Sequence, residues 1–151
     1  MLNRDFKEFV ELLNASRVEY LVVGGYALAA YGHPRYTGDL DIWLRATPDN
    51  VDRLLTVLDA FGFGGRGPTP AEFLQPDTVV QLGYPPARID LLSSIDGVAF
   101  DDCFPRRQLV QVGDLELPLI NESDFRINKR ASGRPKDLAD IESLDGPDAE
   151  P

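Results

Sequence analysis

Apolar residues recur along this chain at two spacings, one helical and one alternating, and the order of the two outlines a fold. Phe6, Phe9, Val10 and Leu13 fall at i, i+3, i+4 and i+7, the stripe of an amphipathic helix. Tyr20–Val23 reads as a short buried strand ended by Gly24 and Gly25, and residues 26–31 as a helix stopped by Gly32 and Pro34. In a strand over Leu40–Leu44, Leu40, Ile42 and Leu44 share one face, while Asp39, Asp41 and Trp43 share the other. Thr47 and Pro48 form a helix start, and Val51, Leu54, Leu55 and Leu58 supply that helix with a buried stripe up to Gly62.

Residues 62–70, rich in Gly and Pro, are expected to form a loop. Two strands follow, 78–83 and 88–92, joined by a turn through Pro85 and Pro86. A hairpin-like pair, 109–112 and 115–119, flanks Gly113 and Asp114. Helical segments 121–131 and 136–144 are separated by Ser132–Pro135, and residues 145–151 form a polar tail expected to be disordered. With no internal repeat and no linker, residues 1–144 are expected to form a single domain. The fold class expected is α/β (α+β): a small mixed β-sheet flanked by helices, with a short C-terminal helical segment.

Charge narrows the function. The formal net charge of −10 over 151 residues excludes a globally basic nucleic-acid binder. The average hides a local exception: Arg126, Lys129, Arg130, Arg134 and Lys136 occupy an eleven-residue stretch without Asp or Glu. Such a stripe is either a solvated helix face or a phosphate-binding surface. The single cysteine, Cys103, cannot form an internal disulfide, so a reducing cytoplasmic compartment is expected. The longest uncharged run, Tyr20–Gly32, is too short to span a membrane, and no membrane partner is expected.

The candidate chemistry lies on the strands. Asp39 and Asp41 point to the same side, and like charges held that close raise each other's pKa unless a cation sits between them. Magnesium suits such a pair, with Mn²⁺ as the alternative, because it takes one or two carboxylates and fills its octahedron with water and phosphate oxygens. Asp90 lies on another largely apolar strand, on one face with Arg88 and Leu92. Beside Asp39 and Asp41 it would complete a three-carboxylate site for in-line phosphoryl chemistry. The competing reading of Asp90 is a salt bridge to Arg88 or another basic residue. Gly24 and Gly25 would let the backbone approach a ligand, although a Gly-Gly at such a turn is often only a turn.

The block Gly24-Gly25-Tyr-Ala-Leu, Gly32, Arg35-Tyr-Thr37-Gly-Asp39-Leu-Asp41-Ile resembles the opening motif of the DNA-polymerase-β-like nucleotidyltransferase superfamily, most nearly its small bacterial abortive-infection and toxin–antitoxin members. Residues 88–92 look like that family's third-aspartate strand, and residues 128–141 like its C-terminal helical motif. The resemblance spans residues 18–144. It implies Mg²⁺ on Asp39 and Asp41, with Asp90 as the third metal-site carboxylate helping to activate the acceptor. It further implies Lys129, Arg134 and Lys136 on the nucleotide phosphates, with Arg35 and Thr37 supporting the site. The implied partners are an NTP and an acceptor hydroxyl on tRNA or other RNA, on a protein, or on a small molecule, and a cognate antitoxin or partner protein. Many relatives carry a larger helical domain that selects the acceptor; this chain ends soon after Leu144.

Two further readings stand beside an active enzyme. One is a non-catalytic nucleotide-binding or antitoxin-like module with the same fold, against which the presence of all three carboxylates argues. The other is a glycosyltransferase using Asp-x-Asp, which normally needs a larger nucleotide-binding domain. Trp43 shares the aspartate face, with core packing favoured over base stacking. Cys103 reads as a small core residue, His33 as a loop residue, and Arg106 and Arg107 as surface.

Overall fold

The alternation in the strands becomes the two faces of one sheet. The computed structural model describes residues 3–31, 38–63, 69–83 and 87–145. In chain order the elements are α1 (Arg4–Ala15), β1 (Tyr20–Val23), α2 (Gly24–Ala30), β2 (Leu40–Leu44), α3 (Pro48–Leu58), α4 (Pro70–Phe73), β3 (Val79–Leu82), β4 (Ile89–Leu92), α5 (Phe100–Cys103), β5 (Gln108–Val112), β6 (Leu115–Leu119), α6 (Glu122–Ser132) and α7 (Pro135–Asp145). The six strands form a mixed sheet in the order β3-β4-β2-β1-β6-β5. The hairpin-like pairs β3/β4 and β5/β6 are antiparallel, as is β1/β2, whereas β2/β4 and β1/β6 are parallel.

Each face carries its own core. On one, Leu40, Ile42 and Leu44 meet the predicted stripes of α1 and α3, including Phe9, Leu13 and Leu54. On the other, Leu21, Val23 and Trp43 pack with Leu28 of α2, Phe100 of α5 and Phe125 of α6. Trp43 is buried edge-on against Phe100, which makes it a core residue, and Cys103 is buried in the same cluster. Full burial of such a side chain stabilises the fold by about 1.5–3 kcal/mol.

Several boundaries differ from expectation, for local reasons. The helix α2 begins at Gly24 itself, so the glycines form its first turn. Thr69 and Glu72 cap each other's backbone and nucleate α4 at the end of the expected loop. Asp145 belongs to α7 and not to the tail, held by an ion pair to Arg126 at 2.7 Å; residues 146–151 lie outside the described residues. Among the described residues no helix is long and apolar enough to cross a membrane.

Candidate active site

Register brings the carboxylates together. The parallel pairing of β2 with β4 sets Asp41 opposite Asp90, and the antiparallel pairing of β1 with β2 sets Val23 opposite Asp41. Asp41 thus stands where the Gly24 turn leaves β1, on the sheet face covered by α2 and α6. Gly24 adopts φ +69°, and a Cβ added there would lie 2.1 Å from Oδ2 of Asp41. Only glycine lets the chain turn this close to the carboxylate. Gly24→Ala is therefore expected to displace Asp41, destabilising the protein by about 1–3 kcal/mol. Thermal unfolding checks this, and an unchanged transition would refute the close approach.

Burial pushes the Asp41 carboxyl up to about 7, reinforced by the charge of Asp90, by a hydrogen bond shared with it, and by the charge of Asp39; Lys129 pulls the other way. A carboxyl whose folded pKa exceeds its unfolded value binds its proton more tightly when folded. Its contribution to stability is fully present below about pH 4 and is lost as pH rises through about 7. The metal-free protein is thus expected to unfold at a lower temperature at pH 8 than at pH 5. Added Mg²⁺, competing with that proton, should raise the transition more at pH 8. Equal gains from Mg²⁺ at both values would count against Asp41 as a ligand.

Arg88 grips two of the three carboxylates. Its Nε donates to Oδ1 of Asp90 at 2.7 Å, and Nη2 donates to Oδ2 of Asp90 and to Oδ2 of Asp39, both at 3.1 Å. Its backbone N–H donates to Oδ1 of Asp39 at 3.3 Å. The salt bridge weighed against a metal role for Asp90 is therefore present. Among the described residues, no three His, Cys, Asp or Glu side chains converge closely enough to hold a metal ion as they stand. In kind, however, the donors fit magnesium: all are carboxylate oxygens, and the charge accumulated at Asp41 and Asp90 is what a divalent cation relieves.

The cationic stripe does not form one surface. Arg126 pairs with Glu122 and Asp145, away from the cleft. Lys129, nearly buried, donates to Asp137 at 3.2 Å and lies 3.4 Å from Asp140, and Arg134 binds Asp137 at 2.7 Å. Burial would raise the pKa of Asp137, but hydrogen bonds from Arg134 and Ser132, with the Lys129 charge, hold it down at about 2. Asp137 and Asp140 were not among the expected site residues. Their spacing after Lys136 was the available signal, since i and i+3 share a helix face.

Two cavities of about 410 Å³ each share a wall of Gly24, Asp41, Lys129, Arg134 and Asp137. The first brings Gly24, Gly25, Asp39, Lys129, Arg134 and Lys136 to its wall. The second lies toward β3 and β4, against Asp77, Val79, Asp90, Leu92 and Asp96. The expected residues Arg35 and Thr37, and also His33, lie outside the described residues. Arg106 reaches from the surface to the buried Asp124 at 2.9 Å, so it is a structural anchor.

The fold matches solved structures along most of its length. Lincosamide antibiotic adenylyltransferase LnuA, in a lincomycin-bound crystal structure, superposes with a TM-score of 0.63 at 14% identity, over 97% of this chain and 98% of that one. A nucleotidyltransferase candidate from Thermotoga maritima gives 0.58 at 14% identity, over 94% and 89%. An antigenic nucleotidyltransferase-like protein from Paracoccidioides brasiliensis gives 0.54 at 17% identity, over 93% and 72%. This is a nucleotidyltransferase fold. No protein-family model and no curated protein matches the sequence, so the similarity lies in the architecture. Within that fold, Asp39 and Asp41 line the first cavity with Lys129, Arg134 and Lys136, and Asp90 lines the second with Asp41, Lys129 and Arg134.

Proposed function

We propose that this protein is a Mg²⁺-dependent nucleotidyltransferase that moves a nucleoside monophosphate from an NTP to a hydroxyl on a small-molecule acceptor. The observation that carries the reading is a pair of cavities that share Asp41, Lys129 and Arg134, with Asp39 and Lys136 lining one and Asp90 the other. A triphosphate, with about four negative charges, suits the wall of Lys129, Arg134 and Lys136. The acceptor suits the second cavity, whose size falls in the range of small-molecule sites. The LnuA structure, an antibiotic adenylyltransferase spanned almost completely by this chain, supports a small acceptor.

Asp39, Asp41 and Asp90 would hold the metal, whose chemistry is to lower the acceptor hydroxyl's pKa and to neutralise charge on the phosphates. Asp90 takes the acceptor's proton as its oxygen attacks the α-phosphorus. The new P–O bond forms while the bond to the β-phosphate oxygen breaks, and pyrophosphate leaves past Lys129 and Arg134. Gly24 keeps the strand end clear beside Asp41.

The test is transfer of label from each α-³²P NTP in the presence of Mg²⁺. The acceptors are a panel of hydroxylated small molecules, total bacterial RNA, and the protein alone. Label on a small molecule is the expected result. Label on RNA or protein would replace the acceptor class, and RNA or protein labelling would favour a toxin–antitoxin setting with a partner protein. Triphosphate binding without transfer to any acceptor would favour a non-catalytic binding module. No transfer and no triphosphate binding would sink the nucleotide reading itself.

A further inference from the structure

Arg88 stands where a second cation would be useful. Asp39 is anchored through both oxygens, one to the Arg88 backbone N–H and one to its guanidinium. Asp90 is held through both oxygens by Nε and Nη2 of the same side chain. A guanidinium fork matches a carboxylate's geometry and stays charged at every relevant pH. Here it spans the carboxylate just before β2 and one on β4, a role that divalent cations also fill. The side chains are shielded from solvent at Arg88 and Asp90, 21% and 12% exposed, so screening by salt is reduced.

The consequence follows from counting charge. Asp39, Asp41 and Asp90 bring three formal negative charges, and Arg88 returns one positive charge between Asp39 and Asp90. That leaves enough charge for a single divalent ion and too little to favour a pair. Each carboxylate oxygen retains a lone pair beyond its bond to Arg88, so Asp39 can still ligate alongside Asp41. The same holds for Asp90, whose charge the fork already offsets at both oxygens.

Building on the proposed nucleotidyl transfer, we propose that Arg88 is an internal counter-cation that takes the place of a second metal ion between Asp39 and Asp90, and that restricts the nucleotide-free site to one divalent ion. Arg88 is thus a positioning residue, acting through the two carboxylates it grips.

The experiment counts bound Mn²⁺ by electron paramagnetic resonance titration of the nucleotide-free, metal-stripped protein. The wild type is expected to bind one ion per chain, and Arg88→Gln two. Arg88→Lys, which keeps a charge without the fork, should stay at one. Any other wild-type number overturns the proposal without need of a variant, as does an unchanged count in a folded Arg88→Gln, with thermal unfolding as the control. The count involves no nucleotide or acceptor. A wild type that binds one ion yet transfers no label would sink the transferase reading and leave Arg88's role standing. A protein that transfers label and binds two ions in its free form would do the reverse.

Discussion

Asp41→Asn is expected to reduce nucleotidyl transfer by about 10³-fold or more while raising the thermal stability of the metal-free protein at pH 8. Both effects come from one carboxylate. Asp41 is the carboxylate near Asp39 and Asp90 that lines both cavities, and register sets it against Asp90. Asparagine keeps the shape but removes an anionic ligand, and removing one electrostatic contributor to a phosphoryl-transfer site costs on the order of 10²–10³ in rate. The carboxylate also helps fix the metal, so the loss falls at or beyond the upper end. Stability moves the other way because Asp41 is ionised at pH 8 only against burial and against the charges of Asp90 and Asp39. An uncharged amide relieves that repulsion, with a gain of about 1–3 kcal/mol. Below about pH 4 the gain should vanish, since Asp41 is then protonated both folded and unfolded. Calorimetry at the two pH values, with label transfer at pH 8, checks the pair of outcomes. Loss of transfer accompanied by loss of stability would mean that Asp41 holds the fold, and the assignment to chemistry would fall.

That opposition between stability and chemistry marks where the sequence was legible. Strand β2 could be read almost completely, because a period of two dictates that Leu40, Ile42 and Leu44 enter one core and Trp43 the other. The stripes of α1 and α3 were equally readable, since they depend on nearest neighbours in sequence. Strand pairing was not. Nothing local to Asp41 or Asp90 says that β2 and β4 lie side by side and in parallel, yet that register creates the carboxylate cluster. Asp90 and Arg88 could be placed on one face by alternation, but the second grip of Arg88, on Asp39, joins the approaches to β4 and β2, which are distant in sequence. The partners of the cationic stripe were hidden for a related reason. Its charges were counted along the chain, whereas α7 folds back on α6 and delivers Asp137 and Asp140 to Lys129. The capping box of α4 was readable from Thr69 and Glu72, but it was masked by the neighbouring glycines and prolines.

Lys129→Met is expected to destabilise the protein by about 3 kcal/mol and to weaken triphosphate binding at least tenfold. The Lys129 side chain is 12% exposed and faces two carboxylates that are almost fully buried, Asp137 at 1% and Asp140 at 4%. Removing one partner of a buried ion pair typically costs about 3–5 kcal/mol, because the remaining charge loses its compensation. Two local features keep the expected value at the lower end. Asp137 retains hydrogen bonds from Arg134 and Ser132, and the long apolar stem of Met preserves most of the packing. Asp140, 3.4 Å from the Lys129 amine, loses the same cation. Lys129→Met/Asp140→Asn should accordingly recover part of the lost stability, with a coupling of about 1–2 kcal/mol in a double-mutant cycle. Binding should not recover in the double variant, since the missing cation faces the cavity with Arg134 and Lys136. The two readouts separate the roles of Lys129. Recovery of stability without recovery of binding assigns it both to the α6–α7 junction and to the phosphate wall, whereas unaltered triphosphate affinity in the single variant would confine it to the junction.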